Sequence, residues 1–150
     1  MREVAMRRIG YVAPFALLAM ASLPLAAQDA PVPPGIDEAL LGLETDGIAG
    51  MVVFDADGNT VVGDAVGVVS RDGRYYLAMV PDPKHYGPRE VAVPLEELRF
   101  TPDAGLTLAE PAQSRIEAMP VHRQADYEPL PGGHTLAEVI ILPDVTRQSR

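Results

Sequence analysis

Asp55, Asp57 and Asn59 stand at alternate positions of DADGN, the way oxygen ligands open a calcium loop. A twelve-residue loop begun at Asp55 needs glycine at position 60 and glutamate at position 66, and Thr60 and Val66 stand there. The acidic run is therefore read as a hairpin turn, its side chains bonding nearby backbone. His85, His122 and His134 are scattered, with no His-x-x-x-His pair and no acidic residue at ligand spacing. Ser70 and Ser114 lack the G-x-S-x-G setting of a nucleophile, and the glycines near Val66 lack the spacing and lysine of a phosphate loop. With no cysteine in the chain, thiol chemistry is excluded. No catalytic, cofactor or metal residues are expected. The alternative is a metal-dependent protein or enzyme using the acidic turn and the histidines.

Binding is the chemistry the residues favour, and the segment expected to do it is Pro81 to Arg89, PDPKHYGPR. Lys84, His85, Tyr86 and Arg89 are the expected partner-binding residues. Tyr and Arg carry a disproportionate share of interface energy, and the three prolines lower the ordering cost. A stiffened hairpin connection with solvated side chains is the competing reading.

The elements that must hold this loop are strands. Ile48–Phe54, Thr60–Ser70 and Arg74–Val80 are β-branched runs separated by DADGN and by Arg71-Asp72-Gly73, two strong turn signals. In the second run the odd positions Val61, Gly63, Ala65, Gly67 and Val69 form a face of small residues, the pattern of a bulge or a close backbone approach. Tyr75, Leu77 and Met79 share one face of the third. Val91 and Val93 alternate before Pro94, which opens a helical turn through Leu98. Arg99-Phe100 and Leu106–Leu108 extend the strand pattern, and Pro111 opens a helix with Ala112, Ile116 and Met119 on one face. Ile36, Ala39, Leu40 and Leu43 sit at helical spacing. Tyr127–His134 reads as a loop, and Thr135–Leu142 as a last strand or docked segment.

The turn Asp55–Gly58, the segment Val62–Val66, Asp72-Gly73, the run Val91–Leu98 and the pair Leu106 and Leu108 resemble, in order and spacing, the PRC-barrel family. The resemblance covers roughly Gly47 to Pro120. It implies a mainly β fold, a small PRC-barrel-like β-barrel with short flanking helices. It also implies a non-enzymatic binding and assembly role, in which a protein or envelope component is the expected partner. A second role, stability factor for a membrane complex, follows from the reaction-centre members of that family.

Arg2, Arg7 and Arg8 precede an apolar run from Ile9 to Leu25 and the small pair Ala26-Ala27, the order of a secretory signal. The run is short for a membrane span and broken by Pro14 and Pro24, so cleavage after Ala27 is expected, with translation starting at Met1 or Met6. The expected organisation is signal peptide 1–27, linker and short helix 28–46, barrel domain 47–120 and C-terminal extension 121–150. The mature protein would be periplasmic or secreted, without a membrane span. The formal net charge is −9 and becomes −11 once Arg2, Arg7, Arg8 and Glu3 are removed. That field repels phosphate backbones, so no nucleic acid is expected.

Overall fold

Strand-forming runs separated by Asp- and Gly-rich turns make a sheet, and a computed structural model describes it over residues 33–141. The expected signal peptide, most of the proline-rich linker, and the tail lie outside the described residues. Seven strands form one mixed sheet: β1 (Val52–Phe54), β2 (Val61–Arg71), β3 (Arg74–Pro81), β4 (Val91–Pro94), β5 (Leu98–Thr101), β6 (Gly105–Leu108) and β7 (Glu128–Pro129). The hydrogen-bonded path runs β4-β3-β2-β1-β6-β5, and β7 pairs with the far half of β2. All pairs are antiparallel except β1 with β6.

The path has two ends, β4 and β5, and no ladder joins them. The sheet is open. This overturns the barrel, the PRC-barrel resemblance that suggested it, and the PRC-barrel assembly module built on that resemblance. The sequence misled because β4 and β5 are consecutive, linked only by the 3-10 turn Leu95–Glu97. Six flat strands would hold their ends about 24 Å apart. Four Cα steps reach about 15 Å, so the sheet bends enough to let the turn join its ends without pairing them.

Among the described residues five short α-helices surround the sheet: α1 (Glu38–Leu41), α2 (Thr45–Ile48), α3 (Pro83–Tyr86), α4 (Ala112–Arg115) and α5 (Leu136–Ile141). The main core joins α1, α2, α4 and α5 to the inner face of the sheet through Leu40, Ile48, Leu77, Met79, Val93, Leu98, Leu106, Ile116 and Leu136, all essentially buried. Asp55 joins two elements: its Oδ1 accepts from the Ala112 amide at 2.8 Å, capping α4 from across the chain. Asp57 accepts from the Asn59 and Thr60 amides, each at 2.9 Å, and from the Thr60 hydroxyl. These backbone bonds hold its carboxyl below the usual aspartate range.

Three further expectations change. Residues 48–51 are not strand, because Thr45–Ile48 winds into α2 and β1 begins at Val52, although the Gly50 amide and Met51 carbonyl still bond Ala65. Small residues on β2 do mark irregular pairing, yet the odd positions do not share one face. The register shifts between Ala65 and Gly67, so Val68 turns into the core and Val69 turns outward. Gly63 marks a close approach: a Cβ there would collide with the Val80 carbonyl oxygen and lie 2.7 Å from the Pro81 Cα. The last segment, read as a strand or docked piece, is α5. Thr135 and Glu138 form its capping box, with the Thr135 amide donating to Glu138 Oε2 at 2.8 Å and the Glu138 amide to Thr135 Oγ1 at 3.3 Å.

Candidate functional site

The outer face of the sheet is where the chain exposes what it does not need for its core. Across β1, β2 and β3 the register sets Val52 opposite Asp64 and Asp64 opposite Val80. Both valines are exposed, at 38% and 41%, and Val66 beside the bulge is exposed at 48%. Asp64 is exposed and has no ion-pair partner among the described residues. An isolated surface valine needs no explanation, but three around a single carboxylate form a patch.

Farther along the same strands the outer face is covered. The segment after Met119 leaves the β4 edge, where the Ala92 amide donates to Pro120 O and the His122 amide to Glu90 O. It crosses β3 and ends beside β2 as β7, with the Leu130 amide donating to Val68 O at 3.0 Å. Beneath this strap Tyr127 packs on Val69, Tyr76, Ala78 and Ala92, a second small core. The Tyr127 ring meets Tyr76 edge-on at 5.5 Å and His122 at 4.9 Å, and the Arg71 guanidinium lies 4.7 Å from its centroid. Burial pushes the Tyr127 hydroxyl's pKa up, with Arg71 acting against it.

A cavity of about 270 Å³ opens where the strap, the bulge of β2 and α2 meet. Its apolar lining includes Ala49, Val66, Ala78 and Leu130, and its polar lining includes Asp46, His122 and Tyr127. His122 Nδ1 lies against a Glu90 carboxylate oxygen. A carboxylate only accepts, so Nδ1 carries the proton and in the neutral ring Nε2 is left as an acceptor. The His122 side chain is 8% exposed and Tyr127 is 5% exposed. His122 Nε2 and Tyr127 Oη are both buried, and neither has a hydrogen-bond partner among the described residues. Asp46 is fixed at the rim because its Oδ2 accepts from the Gly133 amide at 2.7 Å. A side chain on Gly132 would occupy the space of that carboxylate.

The four residues expected to bind a partner differ in exposure: Lys84 and His85 are exposed, Tyr86 and Arg89 half-buried. Lys84 and His85 are exposed on α3, where Asp82 caps the helix by accepting from the Lys84 amide at 2.9 Å and also meets His85 Nδ1 at 3.1 Å. Tyr86 packs against the core, and burial raises its hydroxyl's pKa. Arg89 donates to Ile116 O at 2.9 Å, tying the loop to the end of α4. Sequence reasoning missed His122 and Tyr127 because each looked isolated among loop residues. The sign available was Tyr76 and Ala78, apolar residues on the β3 face opposite Tyr75, Leu77 and Met79. Among the described residues no three His, Asp or Glu cluster as a metal site, and no helix is long and apolar enough to cross a membrane. No protein-family model matches this chain, and no curated protein matches it either.

Proposed function

We propose that this protein is a non-catalytic binding protein that docks a basic, apolar-flanked segment of a protein partner on the outer face of its sheet. The row Val52, Asp64, Val80 carries the reading: two exposed apolar contacts flank one unpaired carboxylate on a rigid three-strand platform. The formal charge of −9 favours a basic partner over an acidic one. A non-catalytic role is supported by the site's chemistry. His122 Nε2 is buried, and the nearby Thr45 hydroxyl is occupied in donating to Pro131 O at 2.8 Å. Delivery outside the cytoplasm is proposed on the Arg7-Arg8, Ile9–Leu25, Ala26-Ala27 order alone. N-terminal sequencing of protein recovered from cells tests that part, and an intact Met1 or Met6 in the cytoplasm refutes it.

The docking reading is tested by titrating short peptides that alternate leucine with lysine, or leucine with glutamate, into the labelled protein. Amide shifts at Val52, Asp64 and Val80 with the basic peptide, weakened about tenfold or more by Asp64→Lys, are expected. Equal shifts with both peptides, or none with either, would refute it.

A further inference from the structure

We infer that Asp72 is a modification site, the residue at which this chain converts spontaneously to isoaspartate while its other two Asp-Gly pairs are held back. Asp46-Gly47, Asp57-Gly58 and Asp72-Gly73 are the three such pairs in the sequence. In each, the glycine amide nitrogen can attack the aspartate Cγ, because glycine has no Cβ to crowd the approach. The N–Cγ bond forms and a carboxyl oxygen leaves as water, which closes a succinimide ring. Water then adds back at either ring carbonyl. Opening at the aspartate's main-chain carbonyl leaves the chain running through Cβ and Cγ, with a free α-carboxylate and no net change in mass. No oxidant, enzyme or cofactor takes part, so the fold decides which pair reacts.

The fold withholds both reacting groups at two of the pairs. Asp57 accepts from the Asn59 and Thr60 amides and from the Thr60 hydroxyl, and the Gly58 amide donates to Asp55 O at 2.8 Å. Those bonds also keep the Asp57 carboxyl ionised to lower pH, whereas ring closure needs the protonated form, which can release water. Asp46 Oδ2 accepts from the Gly133 amide at 2.7 Å, and the Gly47 amide donates to Glu44 O at 3.0 Å within α2. At Asp72 neither group is held. Its side chain is 92% exposed, and the Arg71 Nε lies 3.8 Å away, beyond hydrogen-bond reach. The Gly73 amide has no acceptor among the described residues. The backbone adds to the contrast. Asp72 and Gly73 have φ of 52° and 74°, the paired positive values of a two-residue I′ hairpin turn. Among the described residues Asp72 is the one non-glycine at positive φ. An L-residue is strained there, so leaving that conformation to bring the Gly73 nitrogen onto Cγ costs less than at a relaxed site. The product carries an extra methylene in the turn that joins β2 to β3, and a new carboxylate beside Arg71, whose guanidinium lies 4.7 Å from the Tyr127 centroid. Asp64 and Val80 pair at the other end of that hairpin and are left alone.

The test ages the full chain at neutral pH in heavy-oxygen water, folded in buffer and unfolded in urea. Peptides from an acid digest are read for isoaspartate by electron-transfer fragmentation. The intact protein is probed with a protein isoaspartyl methyltransferase and a labelled methyl donor, which marks the free α-carboxylate. In the folded chain isoaspartate at Asp72 should accumulate about tenfold or more faster than at Asp46 or Asp57, each event taking up one heavy oxygen as the ring opens. In urea the three pairs should react at similar rates, because the bonds that separate them are gone. Amide signals of the aged protein should shift at Arg71 and Arg74 and stay fixed at Asp64 and Val80. Asp72→Glu keeps the charge and lengthens the side chain, so it should silence the folded signal, with a thermal melt verifying the fold. Equal rates at the three pairs in the folded chain, an earlier rise at Asp46 or Asp57, or isoaspartate at Asp72 in urea alone would overturn the assignment. So would a methyl signal that survives Asp72→Glu.

Discussion

Replacing Tyr127 separates the two things its side chain does. The ring closes the small core under the strap, and the hydroxyl is buried without a partner among the described residues. Tyr127→Ala removes a side chain that is 5% exposed. Burial of about 150–250 Å² at ~25 cal/mol per Å² gives about 4–6 kcal/mol, close to the ~3–5 measured for truncated core aromatics. Against a total of about 5–15 kcal/mol that is a large fraction, and at about 4 °C per kcal/mol the melt should fall about 12–20 °C. Tyr127→Phe keeps the ring and removes an unsatisfied polar atom whose burial costs about 1–3 kcal/mol, so it should leave stability unchanged or raise it by about 1 kcal/mol. Urea unfolding followed by circular dichroism measures both. Hydrogen exchange at the His122 and Leu130 amides, which pin the strap at its two ends, should quicken in Tyr127→Ala. A Tyr127→Ala protein within 1 kcal/mol of the parent would mean that the strap does not close a core. A Tyr127→Phe protein destabilised by more than that would mean that the hydroxyl is bonded.

Thr135→Ala removes one half of the α5 capping box and should cost about 1 kcal/mol in urea unfolding, with Thr135→Ser recovering most of it. Backbone bonds hold Asp57, Asp82 and Glu138 below their ordinary values of 3.8, 3.8 and 4.5, so their stabilisation is full above those values and is lost as pH falls through the lower folded ones. An acid titration of stability should therefore be less steep below about pH 4.5 in the triple variant Asp57→Asn, Asp82→Asn, Glu138→Gln; an identical acid limb would contradict the assignment. Arg89→Ala should destabilise by about 1.5–3 kcal/mol through the lost bond to Ile116 O, whereas Lys84→Ala should be neutral within about 0.5 kcal/mol. Equal melts for the two would mean that Arg89 is as solvated as Lys84.

Local chemistry was legible where it was self-sufficient. Asp72-Gly73 turns β2 into β3, Pro111 precedes a helix, and Gly63 allows a close approach, all from residue type alone. What failed depended on partners distant in the chain. Closure of the sheet required a β4–β5 ladder, and consecutive strands with a short link look the same in sequence whether they pair or not. Alternation placed Tyr75, Leu77 and Met79 on one face of β3 and gave the other face no role, whereas Tyr76 and Ala78 serve a second core closed by Tyr127 about fifty residues later. The α5 helix was missed despite its T-x-x-E box, since β-branched Val139, Ile140 and Ile141 favour a strand when only local propensity is weighed. Tertiary docking against the core outweighs that preference.

The free ends of the sheet carry a liability of their own. An unpaired strand edge is a template on which another chain can add. Here each end is occupied by a part of the chain lying outside the strands: Pro120 O accepts from the Ala92 amide of β4 and the His122 amide donates to Glu90 O just before it, and the Asp37 carboxylate, which caps α1, accepts from the Phe100 amide of β5 at 3.0 Å. The strap and the Asp37 turn thus act as stoppers against polymerisation. Loss of the strap from the β4 edge would unstopper β4 and bare the tyrosine-lined face together. An edge so exposed is where strand addition by another chain would begin.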